Sequence, residues 1–213
     1  MSDRHDLMQR VRDERVIAIV RLRSDAPLRR VAEALVEGGI RILEFTLTSP
    51  GARAAIAECR AHFGETALIG AGTVLDAAEA RECLDAGAQF LVSPGCDPAV
   101  VAAARAGGAL AMPGALTPTE IIAAWHAGAD VVKVFPVRSF GPRYIADLRA
   151  PLPEIPLMPT GGIDETNAGA YLRAGAVGVA AGGQLVTEEM VARADWTAIT
   201  ARAGILRAAV RDA

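Results

Sequence analysis

Ala124-Trp125-His126-Ala127-Gly128-Ala129-Asp130-Val131-Val132-Lys133 reads as the last turn of a helix, a glycine that reverses the chain, and the start of a strand. The strand continues through Val134 and Phe135 to Pro136, an apolar, largely β-branched run of the kind buried on both faces. The same helix–glycine–strand unit recurs from Ala34 to Glu44 around Gly38-Gly39, from Cys83 to Val92 around Gly87, and from Tyr171 to Ala180 around Gly175. Spacings of roughly 20 to 26 residues suit one short helix, one strand and two tight loops.

Outward from these units, eight apolar runs are predicted strands: 16–21, 40–47, 67–71, 90–94, 110–113, 130–136, 156–160 and 177–181. Each is followed by a helical pattern, so the expected fold is α/β with a parallel sheet covered by helices. Eight such strands can close into a (β/α)8 TIM barrel, expected here as a single domain over 1–213 with a short N-terminal helix at about 4–14. An open doubly wound sheet is the alternative, but no GxGxxG with a downstream acid supports it. Residues 187–212 read as one helical region.

With 52% hydrophobic residues the chain can fill a large core. Its net charge of −3 and scattered basic residues argue against nucleic acid or an anionic membrane as partner. A small molecule is the expected ligand. Cys59, Cys83 and Cys96 form no CxxC pair and no metal-ligand spacing, so they read as reduced thiols. The first 14 residues lack the apolar segment of a signal peptide, and no run approaches a membrane span. These features predict a cytoplasmic protein.

Of 22 basic residues, Lys133 is the only lysine. A chain this biased toward arginine would place arginine there too if a charge were all that was needed. An amine can lose its proton in an apolar wall and act as a nucleophile, whereas a guanidinium stays protonated. Lys133 is therefore a candidate for Schiff-base chemistry on a carbonyl, the alternative being a structural pair with a buried carboxylate.

In a closed barrel the C-terminal strand ends form the active face. Arg21 falls there, with Glu44, Thr73, Pro94, Phe135, Thr160-Gly161-Gly162 and Gly182-Gly183. An amine nucleophile needs a proton shuttle to lose water from a carbinolamine, and Glu44, inside an apolar run, is the candidate. It could instead pair with Arg41 or Lys133 for structure only. Arg21 could fork onto a substrate carboxylate or simply end its strand in solvent. Glycines after the last two strands let backbone N–H groups approach an anion, for which phosphate is the usual guest.

The ordered set Glu44-Phe45-Thr46, Gly70-Ala71-Gly72-Thr73-Val74, Phe90 to Gly95, Met112-Pro113-Gly114, Val132 to Pro136 and Pro159 to Ile163 resembles the class I 2-keto-3-deoxy-6-phosphogluconate (KDPG) / 4-hydroxy-2-oxoglutarate (KHG) aldolases, across about 16–186. The resemblance implies a pyruvate aldolase on a (β/α)8 barrel, needing no metal and no other cofactor, and commonly a homotrimer. It implies Lys133 as the Schiff-base lysine and Glu44 as the general acid/base. Thr73 and Pro94 would line the pyruvyl pocket, Phe135 would flank the lysine, and Thr160, Gly161 and Gly162 would form the distal, phosphate-side turn.

The substrate would be a 2-keto-3-deoxy-4-hydroxy acid: KDPG, giving pyruvate and glyceraldehyde 3-phosphate, and/or 4-hydroxy-2-oxoglutarate, giving pyruvate and glyoxylate. Alternatives are a 2-dehydro-3-deoxy-6-phosphogalactonate aldolase or a phosphate-binding barrel isomerase or synthase. Two positions depart from the family pattern. Thr48 stands where many members carry a carboxylate-binding arginine, which moves that role to Arg21. Gly183 stands where members often have a phosphate-binding serine, which makes an unphosphorylated substrate more credible.

Overall fold

A computed structural model describes residues 4–213. The strands are β1 (Val16–Val20), β2 (Ile42–Thr46), β3 (Leu68–Gly72), β4 (Phe90–Val92), β5 (Leu110–Met112), β6 (Gly114–Ala115), β7 (Val132–Val134), β8 (Leu157–Pro159) and β9 (Val179–Ala181). Around them lie the helices α1 (Arg4–Glu14), α2 (Leu28–Glu37), α3 (Ala52–Phe63), α4 (Ala77–Asp85), α5 (Pro98–Ala106), α6 (Pro118–His126), α7 (Gly141–Arg149), α8 (Ala168–Arg173), α9 (Glu188–Ala192) and α10 (Trp196–Arg211). Every strand pairing is parallel, in one sheet ordered β5-β4-β3-β2-β1-β9 and another ordered β6-β7-β8. The Lys133 N–H reaches the Pro113 carbonyl at 2.9 Å on one side of the smaller sheet, and Thr160 bridges to Ala180 on the other. This is a TIM-barrel-like α/β fold.

The predicted fifth strand is interrupted. Pro113 has no N–H to give to a ladder, so β5 stops at Met112 and pairing resumes at β6 against β7. β3 keeps its predicted length one residue later in the chain, and the remaining strands are shorter than predicted, because apolar flanks outlast the paired residues. The C-terminal region is not one helix: Arg193 and Ala194, the latter at φ 52, separate α9 from α10, and the Asp195 side chain caps α10 by accepting from the Ala198 N–H.

Strand periodicity sorts the core into two layers. Val16, Ala18, Val20, Leu43, Phe45, Ile69 and Ala71 pack outward against helices, whereas Ile17, Ile19, Ile42, Leu68, Phe90, Met112, Val131 and Met158 share an inner cluster. Helix α1 covers the N-terminal end of that cluster with Leu7 and Val11. It is held by Arg4, which pairs at 2.5 Å with Asp130, whose other oxygen accepts from the Ala111 N–H. Glu44 and Lys133 fall on the inward phase of their strands, two residues beyond Ile42 and Val131. Among the described residues no helix is long and apolar enough to cross a membrane.

Candidate active site

At the C-terminal strand ends a cleft of about 460 Å³ is lined by Ile19, Arg21, Lys133, Phe135, Arg138, Thr160, Gly161, Gly162, Ile163, Ala180, Gly182, Gly183 and Gln184. Eight of the eleven sequence-predicted site residues line it: Arg21, Lys133, Phe135, Thr160, Gly161, Gly162, Gly182 and Gly183. Lys133 is 6% exposed and makes no ion pair among the described residues. Its Nζ lies 5.1 Å from the centroid of the Phe135 ring. Such a contact stabilises an ammonium weakly and leaves its lone pair free once the proton is gone.

Glu44 is not part of the lining. It lies within the inner layer at 1% exposure, with Oε1 accepting no hydrogen bond from any described residue. Burial pushes its carboxyl above the ordinary range, against the opposing fields of Lys133 and Arg21. The expected alternative pairing with Arg41 is not formed, since Arg41 approaches Glu14 at 3.9 Å. Gly72 makes room for the acid: a Cβ there would lie 2.5 Å from Glu44 Cδ and 2.6 Å from Cγ. The glycines of β3 thus act through the space they leave, Gly72 for this carboxylate and Gly70 for the Phe90 ring.

Thr73, too, lies outside the cleft lining and acts on it through Arg21. The Arg21 Nη2 donates to Thr73 Oγ1 at 3.3 Å, and Thr73 adopts φ 60, a left-handed backbone rare for threonine. Thr48 is exposed and its hydroxyl meets that of Thr46 at 3.1 Å. Pro94 lines a neighbouring cavity of about 380 Å³ with Gly95, Cys96 and Gly114, which meets the main cleft at Phe135. Gly114 is required there, because a Cβ would lie 2.8 Å from the Ser93 carbonyl oxygen. The cysteines are free, and burial pushes Cys59 up to about 12 and Cys83 to about 11, so neither is poised as a thiolate.

On the far side, Gly161 and Gly162 take φ 102 and 79, conformations that favour glycine. Asn167 holds this turn, its Nδ2 donating to the Gly162 carbonyl at 2.8 Å and its Oδ1 accepting from the Asp164 N–H at 3.2 Å. Gly183 faces open space, with nothing within 4 Å of a built Cβ. Sequence reasoning missed Arg138 and Gln184 as cleft residues. Gln184 was visible as the end of the last strand's glycine turn. Arg138 follows Phe135-Pro136-Val137 in an exposed loop with no local signal.

The parallel α/β scaffold brings to its strand ends a buried lysine with no ion pair among the described residues and a buried glutamate that feels its field. Residues 7–202 match the aldolase family described as KDPG and KHG aldolase, and the chain belongs to that family. It is 36% identical over 197 residues to a 2-dehydro-3-deoxy-phosphogluconate aldolase of Treponema pallidum, covering 92% of each chain. It is 36% identical over 172 residues to the 2-dehydro-3-deoxy-6-phosphogalactonate aldolase of Escherichia coli, covering 80% of this chain and 83% of that one. Among solved structures, the KDPG aldolase of Legionella pneumophila, with pyruvate captured at low pH as a covalent carbinolamine intermediate, superposes with TM-score 0.85 at 28% identity, covering 96% of this chain and 98% of that one.

Proposed function

We propose that the chain is a class I pyruvate aldolase in which Lys133 forms the Schiff base and Glu44 moves the protons. The observation that carries this reading is the only lysine of the chain, buried in the cleft wall without an ion pair among the described residues, near a buried glutamate whose Oε1 has no hydrogen-bond partner among them. The unprotonated amine attacks C2 of a 2-keto-3-deoxy-4-hydroxy acid. Glu44, directly or through a water, donates the proton with which the carbinolamine hydroxyl leaves, giving an iminium.

The iminium then serves as the electron sink. Glu44, now a carboxylate, takes the C4 hydroxyl proton, the C3–C4 bond breaks, and the aldehyde departs. Its electrons form the pyruvyl enamine, which takes a proton at C3, and water releases pyruvate from the iminium. Arg21, tied to Thr73, holds the C1 carboxylate and so sets which carbonyl meets the amine. Thr160, Gly161, Gly162, Gly182 and Gly183 form the distal side, and Pro94 shapes the wall behind Phe135.

The same reading takes the parallel strands as one closed (β/α)8 ring, supported by the Lys133–Pro113 and Thr160–Ala180 links, in a single domain. It also takes the protein as a cytoplasmic homotrimer acting on a small 2-keto acid. KDPG and 2-dehydro-3-deoxy-6-phosphogalactonate, named for the relatives, are the first substrates to assay.

Incubation with pyruvate and sodium borohydride, followed by peptide mapping, tests the mechanism. One reduced pyruvyl adduct at Lys133 is expected, and Lys133→Arg should lose the adduct and at least about 10³-fold of cleavage. Normal turnover in that variant would sink the Schiff-base assignment.

A further inference from the structure

We infer that Ser49 and Thr46 are positioning residues for Arg21: their two buried hydroxyls hold the backbone on either side of it and so fix where its guanidinium meets a substrate carboxylate. The inference rests on the aldolase reading above, in which Arg21 takes that carboxylate, and deepens it by naming what directs the arginine.

The register between β1 and β2 ends at the pair Val20–Phe45, so Arg21 leaves the sheet at the next residue. Two side chains continue where the backbone ladder stops. The Leu22 N–H donates to Ser49 Oγ at 3.0 Å, and Thr46 Oγ1 donates to the Val20 carbonyl at 3.2 Å. The two hydroxyl oxygens lie 3.1 Å apart. A hydroxyl has one proton to give. That of Thr46 goes to Val20, so Ser49 is the donor to Thr46, and Thr48, also at 3.1 Å, donates to the same oxygen. The bonds therefore run one way, from the Leu22 N–H through Ser49 and Thr46 to the Val20 carbonyl. The single residue between the two ends of this chain is Arg21. Thr46 and Ser49 are both buried, which shelters the bonds from water and lets each polarise the next.

Ser49 is free for this task because the helix that follows does not use it. A serine just before a helix ordinarily caps it, yet α3 starts at Ala52 with Gly51 at its cap and no side-chain cap bond. Arg21, for its part, reaches across the end of β2. It stands after β1 and donates to Thr73 after β3, and β2 lies between those two strands. A long side chain tied near its tip by one hydrogen bond takes its direction from its root, and a small displacement of a positioned group is costly. The hydroxyl chain fixes that root. Further along, Glu188 grips the same loop by accepting from the Arg23 N–H and from Ser24 Oγ, so the loop stays tethered when Ser49 is changed.

The test measures borohydride trapping of pyruvate at Lys133 against pyruvate concentration, in the wild-type and Arg21→Ala backgrounds. Ser49→Ala and Thr46→Val break the chain at different bonds, so either serves where the other fails to fold, and Ser49→Thr keeps the hydroxyl. In the wild-type background each break should raise the half-saturating pyruvate about 3- to 10-fold with the maximal adduct unchanged, and Ser49→Thr should stay close to wild type. In the Arg21→Ala background the same breaks should move it by less than about 2-fold, because the group they act through is gone. A rise of equal size in both backgrounds, or none in either, overturns the positioning role while leaving the aldolase reading intact. Failure of the wild type to trap pyruvate at Lys133 overturns the aldolase reading and this inference with it.

Discussion

Arg21 lies close enough for its field to favour an ionised Glu44, yet one is exposed and the other sealed in the inner layer. That difference divides their work. An exposed guanidinium keeps its charge and can meet an incoming carboxylate, whereas a buried carboxyl whose proton is held more tightly can give it up and take it back within a turnover. Thr48 has no cation to offer, so in the proposed reaction the carboxylate contact is assigned to Arg21, whose guanidinium donates to Thr73 Oγ1. Replacing Arg21 by alanine removes a charge-assisted hydrogen bond pair from the bound state. The expected result is a KM for the 2-keto acid raised about 10- to 100-fold, with kcat lowered less. Steady-state kinetics on the purified variant would show it, and an unchanged KM would place the carboxylate elsewhere.

At the scale of elements, the glycine turns set where each strand begins. Gly39, Gly87, Gly128 and Gly175 all lie between φ 90 and 102, so the recurring helix–glycine–strand unit read from sequence is one repeated backbone device. Gly38 has a different task. Its φ of −77 suits any residue, but a Cβ there would overlap Ala203 Cβ and lie 2.5 Å from the Thr200 carbonyl oxygen. It is the point where α2 and α10 touch backbone to backbone, beside the hydrogen bond from Thr200 Oγ1 to the Ala34 carbonyl at 3.0 Å. Gly38→Ala should therefore cost about 1–3 kcal/mol by forcing the helices apart, measured as a lower denaturation midpoint with an unchanged denaturant slope. These elements also show where sequence reading succeeds. Lys133 and Glu44 were legible as polar exceptions inside apolar runs, whereas inward and outward phases were not, because both faces of each strand are buried. The pause at Pro113 was legible in principle from its missing N–H. The contact of Arg138 with Gly162 was not, because it joins separate loops; nor was the left-handed Ala194 that splits α9 from α10, a local turn closed by the Asp195 N–H on the Met190 carbonyl with no glycine to mark it.

For the whole molecule, a buried acid is a charge the fold must accommodate. Glu44 lies among inner-layer side chains, where burial raises its pKa above the unfolded value despite Lys133 and Arg21. The native state therefore binds a proton that the unfolded chain releases more readily. The stability this confers is fully present below the unfolded carboxyl range, about pH 4.3, and is lost as pH rises through the higher native pKa. Above that value an ionised Glu44 in the inner layer is a net cost to the fold. Glu44→Gln keeps the shape, removes the titration, and should lower turnover about 10²- to 10⁴-fold by removing the proton carrier. Its melting temperature should exceed that of the wild type by a few degrees at pH 8, and the gap should close as pH falls toward 4. Thermal melts of the two proteins across that range would reveal the trade directly. A gap that stayed constant with pH would mean that Glu44 does not titrate on folding, and one of opposite sign would mean that the fields of Lys133 and Arg21 outweigh its burial.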